Sequence, residues 1–422
     1  DMRARFKRAL KHQPTLHFLH SFNEHSYIAI LPEQCSSEVL NNVHADMTKD
    51  AKNIALVVAG LGNIGQRFLT MLPKQIARVS GLENVHLVGL VGASKALINT
   101  DGIDVANALE HYQQQAQQYD SEQLLAWLTS HPYDELIIVD ITPSEAFSHL
   151  YQEFSRGIHV IGANKWAASS STENYQQLIT TAEKNKSIWL GNTTVGAGLP
   201  INSTIKELLN SGDKISEISG IFSGTLSWLF QYYDGVTPFS ALLSDALSQG
   251  ITEPDPREDL SGRDVQRKLL ILARSAGFEL SLADIDCQSL VPVPLRDISL
   301  AEFLERTSEL DEMFLSRLKE AQDKACVIRY VARFISENDQ VTAKVSLEEL
   351  SENDAFAQLT PCDNVFQIKS DWYQDNALII RGPGAGRDVT AGGIHADLVT
   401  ICQQLNHRHQ QVKIKPAFKH RG

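Results

Sequence analysis

The sequence predicts an α/β chain: a doubly wound parallel sheet followed by a second, mixed α+β domain. Three observations carry this. From residue 51, apolar strand-like runs alternate with helical stretches. A glycine turn joins the first of these runs to an amphipathic helix. Beyond residue 190 the order becomes helix-rich and then strand-rich. The chain has 422 residues, too many for one simple core, so two or more domains are expected.

The elements follow in order. Residues 1–50 hold one strand-like run, "HSYIAIL", and one short helical run, "SSEVLNNVHADM". Alone they are too small to bury a core, and they read as the end of a preceding domain or as a linker. The chain starts without a methionine and reads as a fragment. "NIALVVAGLGNIGQRFLTML" then gives a strand, a turn and a helix; "VHLVGLVGAS", "ELIIVDIT" and "HVIGANK" give three further strands. Helical stretches such as "SEAFSHLYQEFSRG" fall between them. Near-continuous apolar strands separated by helices indicate a parallel sheet covered on both faces. The helix after "IIVDIT" has Thr142 as its expected N-cap, Pro143 at its first position and Glu145 completing a capping box. In the second domain "ACVIRYVARFI", "QVTAKVSLEEL", "NVFQIKSDWY" and "NALIIRGPG" are expected strands. The last helix, "AGGIHADLVTICQQLNH", is expected to return to the first domain. The boundaries are therefore 51–190 for the parallel-sheet domain, 191–380 for the mixed domain, 381–407 for the return, and 408–422 for a disordered basic tail.

Composition excludes several function classes. The formal net charge is −13, which argues against nucleic acid as a partner. No run of about eighteen apolar residues exists to span a membrane, and no apolar signal core follows the N-terminal basic residues. Cys35, Cys287, Cys326, Cys362 and Cys402 are scattered without a CxxC pair, the pattern of reduced thiols in a cytoplasmic protein.

The turn "GLGNIG" places Gly60, Gly62 and Gly65 between a strand and a helix, the context a dinucleotide-binding turn requires. Gly60 permits the turn, Gly62 lets the backbone approach a pyrophosphate, and Gly65 allows close helix–strand packing. The helix beginning at Asn63 and Ile64 offers N–H groups and a partial positive charge to the phosphates. The domain is thus Rossmann-like. An NAD-preferring site places Asp or Glu at the end of the second strand, whereas this strand ends with Ser94 and Lys95. Nothing there repels a 2′-phosphate, so NADP is expected, with NAD as the alternative; the bland reading of Lys95 is a solvated loop lysine.

"TEPDPREDLSGRDVQRK", residues 252–268, crowds charges against the apolar run "LLILARSAG". Ser261 and Asp264 have the spacing of a capping box. Asp264 and Lys268 are four apart and share a helix face, which on its own predicts a surface ion pair worth less than about 1 kcal/mol. Val265, Leu269 and Leu272 set the buried face, so the acid–lysine edge borders the core. Pro254 and Pro256 stiffen the entry and hold Glu253 in place.

"GITEPDPREDLSGRDVQRKLLILAR", "NTTVGAGLPINSTI", "GIFSGTLSWL", "ANKWAAS" and "RGPGAGRDVTAGGI" together resemble the motifs of homoserine dehydrogenases, in that family's order, over residues 51–407. The style of "ISEISGIFSGTLSWLF" is most similar to the dehydrogenase half of bifunctional aspartokinase–homoserine dehydrogenases of the methionine-pathway type. The resemblance implies NAD(P)-dependent interconversion of L-aspartate 4-semialdehyde and L-homoserine, in threonine and methionine biosynthesis. It implies Lys268 and Lys165 as acids and carbonyl-polarising groups, and Asp264 as orienting Lys268 or binding the substrate ammonium. It makes Glu253, Gly224 and Thr225 substrate contacts. Lys165 ends the strand "HVIGANK", at the sheet edge where ligands of open α/β sheets bind; its bland reading is a strand-end lysine in water. Thr142 lies at the same edge as a cofactor contact. Gly384 and Gly386 of "GPGAG" permit close backbone approach to the nicotinamide side, or merely a tight turn. The resemblance further implies a structural sodium or potassium ion on Asn192, Val195, Ala197 and Leu199, although Asn192 replaces the family's acid and brings no charge. A homodimer or larger homo-oligomer is implied, as is a covalently attached kinase half, for which no phosphate motif is found here.

Two rival readings remain. A phosphorylating semialdehyde dehydrogenase would need an activated cysteine, and none sits in such a motif. A regulatory module would bind NADP without turnover.

Overall fold

The computed structural model describes residues 52–338 and 340–413, with side chains as far as Asn406. Before them it describes only Phe6, Leu10, residues 17–20 and 27–30, and Val43. The chain forms two compact units. One comprises Asp1–Ile161, Ile179–Leu190 and His395–Gly422, and the other Gly162–Leu178 and Gly191–Ile394.

In the first unit, β1 (His17–His20) and β2 (Tyr27–Ile30) pair antiparallel. The expected strand "HSYIAIL" contains β2; the expected helix over 36–47 lies outside the described residues apart from Val43, which is helical. The seven further strands are β3 (Ile54–Ala59), β4 (Val85–Val91), β5 (Lys95–Ile98), β6 (Gln117–Gln118), β7 (Glu135–Asp140), β8 (His159–Gly162) and β9 (Trp189–Leu190). They form one sheet in the order β6-β5-β4-β3-β7-β8-β9. β3 runs parallel to both β4 and β7 and is buried at every position, as its unbroken apolar run requires. The four strands read from the sequence are β3, β4, β7 and β8. The sequence reading missed an antiparallel edge, in which β5 pairs with β4 and β6 with β5. The cause is local: the Gly92 N–H donates to the Lys95 carbonyl at 2.8 Å, folding "VGASKAL" back on itself instead of into a helix.

Two capping expectations are corrected. The helix after β7 starts at Glu145, and Ser144 is its N-cap, accepting from the Phe147 N–H at 3.1 Å. Thr142 is not the cap, because its N–H donates to Asp140 Oδ1 (2.8 Å) and its hydroxyl oxygen accepts from the Ser144 N–H (3.3 Å). Its hydroxyl oxygen serves the turn before the helix. The stretch "SEAFSHLYQEFSRG" forms two single turns, Glu145–Ser148 and Tyr151–Phe154, rather than one helix. Likewise, no box joins Ser261 and Asp264. Gly262 is the N-cap of the helix Arg263–Ser275, in the left-handed region at φ 73° and with no side-chain cap bond. Ser261 instead terminates the helix Pro256–Leu260.

The second unit is built on a six-stranded sheet of β10 (Ile215–Ile221), β11 (Asp286–Cys287), β12 (Cys326–Glu337), β13 (Gln340–Ser351), β14 (Asp363–Ser370) and β15 (Leu378–Pro383). The order is β11-β13-β12-β10-β14-β15, antiparallel except for β11 with β13. Helices Gly224–Tyr232, Arg263–Ser275 and Asp311–Gln322 pack against β12. Phe239 and Phe314 stack at 3.8 Å, with Phe230 and Tyr233 around them. In the helix Arg263–Ser275, Val265, Leu269 and Leu272 are buried as the spacing predicts.

The last helix runs Arg387–Lys413 and belongs to the first unit from His395 onward. There the His395 ring stacks on Phe68 at 4.3 Å, and its Nε2 lies 3.2 Å from the Phe68 carbonyl. The helix continues into the segment read as a tail; residues 414–422 lie outside the described residues. Among the described residues no helix is long and apolar enough to cross a membrane. The four described cysteines are free, and Cys35 lies outside the described residues.

Candidate active site

The charged segment 252–268 is where the second unit concentrates its chemistry. Gly262 starts the helix Arg263–Ser275 in a backbone conformation that favours glycine, and a Cβ there would stand 2.0 Å from the Tyr330 hydroxyl. Launched from that point, the helix carries Asp264 in its first turn and Lys268 one turn on. Lys268 Nζ lies 2.8 Å from Asp264 Oδ2, and Lys165 Nζ lies 3.4 Å from Asp264 Oδ1. Two ammonium groups 103 residues apart in the chain, at positions 165 and 268, therefore share one carboxylate. Lys268 is the more enclosed, with its side chain 12% exposed against 36% for Lys165. It also donates to the Phe222 carbonyl at 2.7 Å. Desolvation pushes the Asp264 carboxyl upward, but the charges of Lys268 and then Lys165 outweigh it and hold the group far below the usual carboxylate range.

A second acid joins the cluster that the sequence reading passed over. Asp259 Oδ2 accepts from the Glu253 N–H at 2.8 Å, and its carboxyl neighbours Thr225, whose hydroxyl donates to the Ile251 carbonyl at 2.8 Å. Desolvation pushes the Asp259 carboxyl up to about 6, and the nearby charges of Glu253 and Asp264 push the same way. Glu253 itself is exposed. Gly224 opens the helix Gly224–Tyr232, capped by Ser223, whose hydroxyl accepts from the Leu226 N–H at 3.1 Å. A Cβ on Gly224 would approach the Cys362 carbonyl to 3.2 Å. The structure thus gathers Lys165, Gly224, Thr225, Glu253, Asp264 and Lys268 in one unit, linked through Phe222 and Asp259.

A Cβ on Gly384 would meet the Asn364 side-chain amide at 2.0 Å, so one close approach that it permits is to Asn364. That buried amide donates to the Phe222 carbonyl at 3.2 Å, the same oxygen that receives Lys268. Gly386 has φ 133° and accepts from the Thr390 N–H through its carbonyl at 3.0 Å.

In the first unit, β3 is followed by Gly60, at φ 96°. A Cβ on Gly60 would strike the Ile141 carbonyl carbon at 2.6 Å, and one on Gly65 would strike the Gly60 carbonyl oxygen at 1.9 Å. A Cβ on Gly62 would meet nothing within 4 Å. The turn is therefore packed where it touches protein and open where a phosphate would approach. The helix Asn63–Arg78 begins with no acidic residue in its first turn and no side-chain cap, which leaves that end suited to an anion. Ser94 and Lys95 are exposed where the chain turns between β4 and β5, the next strands over. Thr142 follows β7, in the turn described above.

The loop 192–199 carries two adjacent left-handed residues, Gly196 at φ 76° and Ala197 at φ 53°. Val195 and Ala197 are buried, and the buried Thr193 hydroxyl has no hydrogen-bond partner among the described residues. Among the described residues no group of three His, Cys, Asp or Glu is placed to hold a metal ion. Any ion here would rest on neutral oxygens, a donor set that fits a weakly held monovalent cation.

Comparison with known proteins supplies the family. The family model described as homoserine dehydrogenase matches residues 200–399, and that for the homoserine dehydrogenase NAD binding domain matches residues 60–191. A homoserine dehydrogenase of Paracoccidioides brasiliensis is 35% identical over 379 residues, covering 84% of this chain and 99% of its own length. This chain belongs to the homoserine dehydrogenase family. The bifunctional aspartokinase/homoserine dehydrogenase 2 of Escherichia coli K12 is 44% identical over 405 residues, which are 95% of this chain and 50% of that one. The chain thus spans about half the length of that bifunctional relative. A crystal structure of a Candida auris protein of unknown function matches with a TM-score of 0.76 at 33% identity, covering 84% of this chain and 99% of that one.

The homoserine dehydrogenase family is one of oxidoreductases, and the glycine turn, Lys95, Thr142 and Lys165 all fall within the matched NAD-binding model. The motif segments around Gly224, residues 252–268 and Gly384 fall within the other. Asp259 was missed because "REDLSG" reads as one more solvated charge run. The available signal was Leu260, an apolar residue beside it that the short helix must bury, turning its neighbour inward.

Proposed function

We propose that this chain interconverts L-aspartate 4-semialdehyde and L-homoserine, accepting NADP and also NAD. The observation that carries the reading is the sharing of Asp264 by Lys165 and Lys268. A bound nicotinamide supplies or accepts the hydride at the aldehyde carbon. The chain's residues answer the charge that appears on the aldehyde oxygen. Lys268 and Lys165 present positive charge to that oxygen, and one of them returns a proton to it. Asp264 holds both ammonium groups on one side of the site. Glu253 and Asp259 receive the substrate's ammonium, and Thr225 with the N-terminus of the helix at Gly224 receives its carboxylate. Lys268, hydrogen-bonded to the Phe222 carbonyl and nearly enclosed, is the acid whose position is fixed most firmly.

Gly60, Gly62 and Gly65, with the N–H groups at Asn63 and Ile64, hold the pyrophosphate, and Thr142, Lys165, Gly384 and Gly386 serve the cofactor as well. Ser94 and Lys95 favour a 2′-phosphate over the ribose hydroxyls alone. Asn192, Val195, Ala197 and Leu199 supply oxygens to a sodium or potassium ion with a structural role. The natural protein is read as cytoplasmic, a homodimer or larger homo-oligomer, with an aspartokinase half attached as in the bifunctional relatives.

The test is direct. Purified protein is mixed with L-homoserine and NADP, and absorbance is followed at the band of the reduced cofactor. Steady reduction that depends on homoserine supports the reading. Tight NADP binding with no turnover at any pH supports the regulatory module instead and overturns it.

A further inference from the structure

Lys165 does not lie on the helix that carries its two partners. It lies in the segment 163–171, between β8 and the helix Thr172–Asn185, and something must hold that segment against the helix Arg263–Ser275. Two arginines of the latter helix, one and three turns beyond Asp264, make that contact. The Arg267 guanidinium sits over the Trp166 ring at 4.2 Å, and Trp166 is the residue next to Lys165. Arg274 is 6% exposed. Its Nη1 donates to the carbonyls of Ala168 (2.9 Å) and Ser170 (2.8 Å), its Nη2 reaches the Thr172 hydroxyl (3.5 Å), and its ring contact is with Tyr175 at 4.7 Å. Its Nε and Nη2 also donate to the Leu280 carbonyl at 3.1 and 2.9 Å. Among the described residues neither arginine is paired with a carboxylate; the fork of Arg274 is used on main-chain oxygens and one hydroxyl.

A buried guanidinium without a carboxylate is expensive, and desolvation lowers its pKa accordingly. Its planar fork is suited to binding several carbonyls in fixed directions, which a lysine cannot do. The carbonyl of Lys165 is itself tied into the segment, accepting from the Ser169 N–H at 2.9 Å and the Ser169 hydroxyl at 2.8 Å. The segment is thus internally stiff and externally gripped at Trp166, Ala168, Ser170 and Thr172. We infer that Arg267 and Arg274 are positioning residues, which register the Lys165 segment on the helix so that the Lys165 ammonium reaches Asp264. Arg267 sits beside the lysine and sets its placement; Arg274 anchors the far end. This rests on the reading of Lys165 as a group that acts on the substrate oxygen.

A double-mutant cycle in homoserine oxidation at saturating NADP tests it, with kcat as the readout and thermal melting as the check on folding. Arg267→Gln is expected to lower kcat at least tenfold, with KM for NADP changed less than twofold. In a Lys165→Ala background the same substitution is expected to change kcat less than twofold, because nothing remains for Arg267 to position. Equal factors in both backgrounds would overturn the inference and assign Arg267 a merely structural role. A Lys165→Ala variant with wild-type kcat would instead sink the reading of Lys165, and the positioning role with it. If Arg267→Gln fails to fold, the same contact is read from the other side. Trp166→Phe, which keeps a ring under the guanidinium, should retain kcat within threefold, and Trp166→Leu should lose it tenfold; equal kcat in the two would overturn the inference.

Discussion

At the scale of single residues, Asp264 and Asp259 are two aspartates five positions apart with opposite electrostatics. Asp264 lies between two ammonium groups and is held ionised far below its usual range. Asp259 lies among acids, a backbone N–H and a hydroxyl, and is pushed up to about 6. Environments that drive two like groups apart are how one site holds both a fixed anion and a titrating one. The sign of the resulting pH effect follows. Below about 6 Asp259 takes up a proton and loses the charge that would receive the substrate ammonium. We predict that kcat/KM for homoserine rises with pH through about 6, and that Asp259→Asn flattens this limb while lowering the plateau. A profile with the same acid limb in both proteins would contradict it. The Asp264–Lys268 pair was legible in the sequence from its spacing on a helix. Lys165 was legible only through its strand-end position and family resemblance, because no local pattern announces a contact between residues 99 positions apart. Asp259 was not legible as more than a surface acid, since burial of a carboxylate depends on which side of a five-residue helix turns inward.

At the scale of elements, strong periodicity was readable and termination was not. β3, β4, β7 and β8 follow from apolar runs, and the helix Arg263–Ser275 from the spacing of Val265, Leu269 and Leu272. Thr142, Ser144, Ser261 and Gly262 show why ends were harder. Several residues near each helix start can cap it, and the chain's path before the helix selects among them. Thr142 is committed to a turn by Asp140, leaving Ser144 to cap. Gly262 is selected by a left-handed backbone and by Tyr330, neither visible in "LSGRD". This gives a stability prediction. Gly262→Ala combines a positive φ with a Cβ placed 2.0 Å from the Tyr330 hydroxyl, and it should cost about 1–3 kcal/mol in urea denaturation from the backbone alone. The clash adds to that cost. Gly262→Ala with Tyr330→Phe should recover part of the loss, and a single Gly262→Ala protein as stable as wild type would refute this account of the helix start.

At the scale of the whole molecule, the chain leaves its first unit twice and returns twice, and the last return is made by the long helix Arg387–Lys413. The returning helix was read in "AGGIHADLVTICQQLNH"; that it continues to Lys413 was not, because "RHQQVK" carries no apolar face. His395 pins the return, and burial lowers its pKa to about 4 from an ordinary 6.5. The fold favours the neutral ring. As pH falls from about 6.5 the unfolded chain is protonated first, so stability drops until about 4, with a limiting loss of about 3 kcal/mol. Thermal melting between pH 7 and 4 should show this slope in wild type and less of it in His395→Phe, which keeps the stack on Phe68; equal slopes would contradict the assignment. The most direct test of the central claim is the kcat of Lys165→Ala, Lys268→Ala and the double variant in homoserine oxidation, measured with NADP saturating. If both ammonium groups serve one substrate oxygen, each single variant falls by about 10²-fold or more, the double falls by less than the product of the two, and NADP affinity holds for Lys268→Ala. Near wild-type turnover in either single variant would contradict it.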